Sequence, residues 1–388
     1  MRPSHFFDSF TQHARLAVRA LLRSKRDSVP AAAILALGMG MSVAIFSLVD
    51  AVLLRPLPFP DQQSIDLIWK SDPLAGTHVE ELAYPELGDL QQNIPDFTFV
   101  AVMPTSLYGY ARVLQTGKAA PVQIESAPVS HDFFKVLGVA PALGRDFTSN
   151  DEYAGAAPVV ILSNRVWREN LNADPHIIGR MLRLNGQGHR VIGVMAAEVE
   201  FPLGAGLWIP LGVDPAVITH RGATFLQAIA RVRPGVPRDR IDREVNALFQ
   251  RMAHDHPGDY TSSQRGVVTP LIEYWTGSAR VHLWVMLAAA LLLFWAALIS
   301  ASSLLLSRTL ARRYEIATRM ALGASRRDIL TQLGAEAVLL TLVAIVAAMA
   351  IAQAALRVIV LWAPPDIPRL SQAALHMGSF LFAALAAL

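Results

Sequence analysis

The stretch Ser307–Leu330, SRTLARRYEIATRMALGASRRDIL, decides how this chain is read. It carries six arginines (Arg308, Arg312, Arg313, Arg319, Arg326, Arg327) against two acids, Glu315 and Asp328. A long apolar run flanks it on each side, Val281–Leu306 before and Ile329–Leu356 after. Each exceeds the roughly 20 apolar residues needed to cross a bilayer core. By the positive-inside rule, a short, strongly basic loop between two spans is cytoplasmic, and that orients everything else.

The loop has a pattern of its own. No Gly or Pro occurs from Leu310 to Leu322, and Ile316/Met320 and Ala317/Ala321 recur at helical spacing, which predicts a short helix. Glu315 precedes Arg319 in the favoured order for an i,i+4 pair, worth about 0.2–0.5 kcal/mol. Gly323 is placed to end the helix, because Gly enters the left-handed conformation at least cost. Ser325 and Asp328 then have the spacing of a capping box that starts the next helix. Two readings stay open: a loop that only sets topology, or a helix at the membrane face presented to a cytoplasmic partner.

Composition agrees with membrane integration. The 388 residues are 53% hydrophobic and 17% charged, which describes an integral membrane protein with a large soluble part. Charge is segregated: residues 1–29 and 307–329 each carry net +4, whereas 55–279 carries 19 basic and 24 acidic residues. Basic charge therefore sits on one side of the membrane and does not point to nucleic acid. The absence of cysteine excludes disulfides and thiolate metal sites. The soluble part must therefore be stabilised by burial, for which its length is ample, as two lobes.

Working back to the N-terminus, residues 6–24 predict an amphipathic helix. Phe10, Ala14, Ala17, Val18 and Leu21 lie on one face, and Arg15, Arg19 and Arg23 on the other. Residues 1–29 are thus read as a cytoplasmic interfacial segment. Pro30 opens the first span, 30–54, in which Gly38 and Gly40 form a small-residue patch for close helix approach. Asp50, the acid of that span, lies near its outer end. It either snorkels toward the headgroups or makes a polar contact with another span.

A stiff Pro-rich exit, Arg55–Pro60, leads into an extracytoplasmic α+β domain over 55–279. Val122–Pro128, Pro158–Leu162, Arg190–Met195, Leu207–Pro210 and Phe225–Val232 read as short strands. Pro237–His254 reads as a helix with Ile241, Val245, Leu248, Phe249 and Met252 on one stripe. Leu184–Gln187 reads as an Asn-Gly hairpin turn. Tyr274, Trp275 and Trp284 read as an aromatic belt at re-entry. Spans two (281–306) and three (330–356) follow, then an outer connection (357–372) containing Pro364 and Pro365. The last segment, 373–388, is too short to cross unaided, so the chain reads as four spans with the last one truncated, a piece of a longer protein.

Catalytic machinery is not legible. The P-loop pattern is missing: Gly117-Lys118 is followed by Ala119, with Arg112 where the first Gly would stand. Neither H-E-x-x-H nor G-x-S-x-G occurs. His254-Asp255-His256 closes an amphipathic helix before Pro257 and reads as a solvated helix end rather than a metal site. Glu336, a carboxylate two turns into the third span, either reaches interface water or an arginine such as Arg326 or Arg327, or acts in coupling.

Several stretches resemble the MacB/FtsX-type permeases of ABC transporters, and in particular the duplicated acidobacterial orphan permease group. They are Ala44–Ser47 with Ala51–Pro58, PVSHDFFKVLGVAPALGRDF (Pro128–Phe147), PVVILSNRVW (Pro158–Trp167), IIGRMLRLNGQGHRVIGVM (Ile177–Met195) and RRYEIATRMALGAS (Arg312–Ser325). The resemblance covers nearly all of the chain. It implies a four-span permease unit in the bacterial inner membrane, with a cytoplasmic N-terminus and a MacB-like periplasmic core between spans one and two. It also implies a cytoplasmic coupling segment that docks on a separate ABC ATPase, so that ATP acts through the partner and this chain binds no cofactor or metal. Carried over by position, Arg312, Arg313, Glu315, Arg319, Gly323, Ala324 and Ser325 are the ATPase-facing or loop-shaping residues. Membrane lipids, a second permease copy or dimer mate and an outer envelope protein are the other partners implied. Two features depart from the family: Ser300–Ser303 stands where an Asn-rich patch is usual, and the second copy of the unit found in long members is missing. The competing reading is an orphan membrane scaffold or sensor whose outer domain binds an envelope partner without ATP. The substrate class stays open.

Overall fold

The computed structural model describes residues 25–55, 57–107, 109–115, 120–153, 155–199, 201–212, 219–322 and 325–362. The helix expected over 6–24, the tail of the outer connection from 363 and the segment 373–388 lie outside them. The chain divides into an inserted unit, Pro56–Trp275, and a helical unit built from the residues on either side of it.

In the inserted unit, β1 (Ile65–Asp72) and β13 (Thr224–Val232) pair antiparallel at the centre of a six-stranded sheet. β14 (Arg265–Pro270) flanks β1, and β4 (Phe97–Pro104) flanks β13. The short β2 (Thr77–Glu80) and β3 (Leu82–Ala83) complete the sheet. Every residue of β1 is buried, and the two-residue period of a strand divides them between two environments. Ile65, Leu67 and Trp69 enter an apolar core shared with a second sheet. Ile68 faces a different core, which α2 (Tyr84–Asn93) and α6 (Arg238–Asp255) cover. α6 inserts the stripe read from the sequence, Ile241, Val245, Leu248, Phe249 and Met252, all buried.

The second sheet contains β5 (Arg112–Gln115), β6 (Val122–Ile124), β7 (Ser126–Val129), β8 (Leu143–Gly144), β9 (Val159–Leu162), β10 (Met181–Leu184), β11 (Gln187–Val194) and β12 (Leu207–Pro210). Its order is β6-β5-β10-β11-β9-β12-β7, with β8 added on β11. The strand expected over Val122–Pro128 is thus broken at Glu125 into β6 and β7, which stand at opposite edges of this sheet. A single residue joins the two edges, so the sheet must curl on itself. The Glu125 carbonyl accepts from Gly206 N at 2.8 Å, and a Cβ at Gly206 would sit 2.4 Å from Ile124 Cγ2. Asn185 and Gly186, with φ of 49° and 81°, turn β10 into β11, the left-handed pair that a tight two-residue hairpin requires.

α3 (Phe133–Leu137) is wedged between the sheets with Phe133, Phe134, Val136 and Leu137 buried. Phe134 packs edge-on against Trp208 at 5.4 Å, and Phe133 stacks on Phe201 at 5.9 Å. α4 (Ser149–Glu152) and α5 (Asn164–Glu169) are short surface helices; Ser163 Oγ caps α5 by accepting from Val166 N. Trp275 belongs to this core rather than to an aromatic belt, with its ring 5.2 Å from Phe201 and 6.3 Å from Phe59. Tyr274 leans on Trp69 at 5.1 Å. Only Trp284 of the expected belt stands largely apart, 46% exposed.

The helix-covered face of the first sheet carries a buried polar network. Lys70 Nζ lies 3.3 Å from Glu86 Oε1, with Lys70 3% and Glu86 0% exposed. Tyr260 donates to Glu86 Oε1 at 2.6 Å, and Ala83 N donates to Glu86 Oε2 at 2.8 Å. Arg221 donates to Tyr260 at 3.2 Å and to Asp89 at 2.6 Å. Burial pushes the Glu86 carboxyl above its usual range, against the pull of Lys70 and these hydrogen bonds. Four residues before Lys70 on β1, burial likewise holds Asp66 up at about 6, although Arg238 Nη1 lies 3.2 Å away and favours the charged form.

In the helical unit, α1 (Lys25–Val49) begins before Pro30, which lies inside it rather than opening it. The helix widens into a π-turn over Asp50–Leu54, and Arg55 N closes on Asp50 O. α7 (Leu271–Ala311) and α9 (Arg326–Trp362) are longer than the spans 281–306 and 330–356 expected of them, and α9 takes in the start of the expected outer connection. Among the described residues three helices are long and apolar enough to cross a membrane: Ser28–Leu54, Arg280–Ala311 and Ile329–Ile359.

Small residues let α1 approach both neighbours. A Cβ on Gly38 would lie 2.7 Å from Ala297 Cβ, and one on Gly40 would lie 2.9 Å from Ala348 O. Ser42 Oγ donates across to Ala290 O at 2.9 Å, a polar link between helices of the kind that holds bundles together in lipid. Ser300 and Ser303, which stand where the family's Asn-rich patch is usual, bond back to Ala296 O and Ile299 O of their own helix.

Candidate coupling site

The site is built where two apolar helices turn back on each other. At the end of α7, Thr309 Oγ1 bonds to the carbonyls of Leu305 and Leu306, and Arg312 N closes on Thr309 O at 3.2 Å. Arg312, with φ −92° and ψ 9°, leaves the helical conformation and forms a one-residue joint to α8 (Arg313–Ala321). The helix expected over 310–322 is therefore split, its first residues belonging to α7. α8 ends with Leu322 N bonded to Thr318 O at 3.1 Å.

The surface of α8 mixes cations with exposed apolar groups. Tyr314 is 73% and Leu322 84% exposed, and Met320 and Leu310 are exposed too. The Arg313 guanidinium lies 4.9 Å from the Tyr314 ring centre, and Thr318 Oγ1 folds back onto Tyr314 O. Ser325 is exposed, and its carbonyl accepts from Ile329 N at the start of α9. The side chains of Glu315 and Arg319, and Gly323 and Ala324 entirely, lie outside what is described, so their pairing and the glycine stop stand as expectations.

The two intramembrane acids have local partners. Asp50 Oδ2 is 3.0 Å from Arg55 Nε, a pair that closes the π-turn. Glu336, 7% exposed, pairs with Arg312 across the helix hairpin, Nη1 to Oε2 at 3.9 Å; the side chain of Arg327, one of the two arginines expected beside it, lies outside the described residues. Arg326 stands ten residues earlier on the same helix, about 15 Å along its axis at 1.5 Å per residue. A hairpin instead brings the end of α7 beside the first turns of α9. The signal that could have found Arg312 is the loop's length, short enough to force antiparallel neighbours.

No group of three or more His, Asp or Glu side chains able to hold a metal occurs among the described residues. His254 and Asp255 end α6, and His256 follows as its cap. What α8 offers chemically is a basic and apolar face between two membrane helices.

The sequence profile of the MacB-like periplasmic core domain matches residues 28–248, and that of the FtsX-like permease C-terminal region matches 284–388. The chain belongs to the MacB/FtsX-type ABC permease family. It is 27% identical over 220 residues to the macrolide export ATP-binding/permease protein MacB of Escherichia coli K12, and equally to that of Shigella flexneri. Each match covers 55% of this chain and 33% of the relative, so the chain spans about a third of the length of these proteins. Among solved structures, the periplasmic region of MacB from Actinobacillus actinomycetemcomitans is similar at a TM-score of 0.41 and 15% identity, covering 56% of this chain and 94% of that one. A permease domain from Porphyromonas gingivalis gives a TM-score of 0.42 at 16% identity, covering 55% and 93%.

Proposed function

We propose that this chain is the permease subunit of an ABC-type export or mechanotransmission complex. In it, ATP hydrolysis by a separate cytoplasmic ATPase moves the inserted extracytoplasmic unit. The observation that carries this reading is α8, a short, exposed, basic and apolar helix set between two helices long enough to cross a membrane. With the loop cytoplasmic by its charge, the N-terminus is cytoplasmic and the inserted unit faces outward from the bacterial inner membrane. Arg312, Arg313, Glu315, Arg319, Gly323, Ala324 and Ser325 form or shape the face that meets the ATPase, and ATP is held by that partner. A second permease copy, lipids and an envelope protein complete the assembly.

The test is to purify the tagged protein from native membranes and identify its companions by mass spectrometry, beside Glu315→Lys and Gly323→Pro. The reading expects a Walker-motif ATPase with the wild type and its loss from both variants. An orphan scaffold or sensor would yield no ATPase even after gentle crosslinking, and both variants would keep the protein's cellular function.

A further inference from the structure

Arg312 occupies two roles at once. Its backbone is the joint between α7 and α8, and its side chain reaches α9. Two soft dihedrals at this joint set the direction of α8 relative to α7. Glu336, the group it reaches, is a carboxylate buried among apolar residues, which is costly in lipid unless a cation stays beside it. At 3.9 Å the pair attracts without the angular restriction of a short hydrogen bond. The joint can therefore turn while the charges stay matched, and α9 has an energetic reason to follow it. Leu340, one turn beyond Glu336, packs with Ala31 of α1 and Ala301 of α7, so the paired end of α9 is seated in the bundle rather than loose.

We propose that Arg312 and Glu336 are positioning residues forming an electrostatic strut. Through it, displacement of α8 is shared with the third span instead of passing along α7 alone. This rests on the permease reading and names the side chains that distribute the movement.

The chain has no cysteine, so a single engineered Leu361→Cys, at the far end of α9 and 78% exposed, can report on that helix. The full-length protein in membranes with its copurifying ATPase is labelled with maleimide, with and without ATP. It is compared with Arg312→Gln, Glu336→Gln, Arg312→Lys and the exchange Arg312→Glu/Glu336→Arg. Glu336→Gln should keep the ATPase and elute as a monodisperse species, and both neutral variants should lose about two- to thirty-fold of the ATP-dependent labelling change, the range over which residues on a coupling route act. Arg312→Lys and the charge exchange should restore it. Neutral variants that keep the full change, or a loss that neither Lys nor the exchange repairs, overturn the strut while leaving ATPase docking intact. Absence of an ATPase from the wild-type preparation refutes the permease reading, and the strut with it.

Discussion

Replacing Lys70 by Met removes the cation beside the most buried carboxylate of the inserted unit while keeping the bulk of its stem. In the native chain, Lys70 Nζ and Glu86 Oε1 are 3.3 Å apart, which corresponds to about 5 kcal/mol of attraction at an effective dielectric of about 20. Breaking one side of such a pair costs about 3–5 kcal/mol, because the remaining charge stays desolvated. Glu86 has one escape, which is to take up a proton. Its carboxyl is already raised by burial, and loss of Lys70 raises it further. An acid whose folded pKa lies above its unfolded value loses stability as pH rises from the unfolded value through the folded one. The Lys70→Met penalty should therefore grow as pH rises above the unfolded value of the carboxyl. Lys70→Met/Glu86→Gln removes the charge, keeps one acceptor oxygen for Ala83 N and turns an NH2 donor toward the Tyr260 hydroxyl, so it should recover most of the loss and show no such pH dependence. Thermal unfolding of the detergent-solubilised protein, followed by tryptophan emission, reads the outcome. At about 2–4 °C per kcal/mol for a unit of this size, Lys70→Met should lower the transition by roughly 6–20 °C near pH 7. If the single and double variants are equally destabilised, the pair is not what holds this face together, and the argument fails.

Other perturbations test separate parts of the structure. Asp66→Asn should stabilise the inserted unit at pH 7. The carboxyl at about 6 in the fold, against 3.8 unfolded, costs stability progressively as pH rises between those values, up to about 3 kcal/mol. The variant should flatten that part of the pH–stability curve, and a slope unchanged from wild type would contradict the assignment. Gly40→Leu should force α1 from α9, since even a Cβ meets Ala348 O and Ile351; limited proteolysis in membranes should then cut the helical unit faster than in wild type. Ser42→Ala should cost only about 0.6 kcal/mol, the average for one hydrogen bond between helices in lipid, and a collapse of expression would show that Ser42 does more than bridge to Ala290. Gly206→Ala should destabilise the second sheet at its closure, where Ile124 leaves no room for a methyl group. Amide exchange in β6, β7 and β12 should accelerate more than in β1.

Much of this architecture is local and therefore legible. Apolar runs of spanning length, the charge difference between the loop and the inserted segment, the stripe of α6 and the Asn185-Gly186 turn are properties of short windows. They follow from the length of a lipid core, the 3.6-residue helical period and the freedom of Gly at positive φ. What escaped was set by partners distant in sequence. β1 reads as a mixed polar segment because Asp66, Lys70 and Asp72 alternate with its apolar residues, and only α2, α6 and the 260–264 turn give those buried charges partners. Trp275 resembles a membrane anchor until Phe59 and Phe201 enclose it. Glu336 was visible as an intramembrane acid, but pairing it with Arg312 required knowing that the chain turns back after α7 and brings the joint beside α9. The sequence alone determined which segments leave water, because hydrophobicity is summed residue by residue, and its charge segregation is what the proposed orientation of the basic loop rests on. Tertiary structure decided which buried charge meets which, because a low-dielectric interior leaves a charge stable only where the fold brings its counterpart.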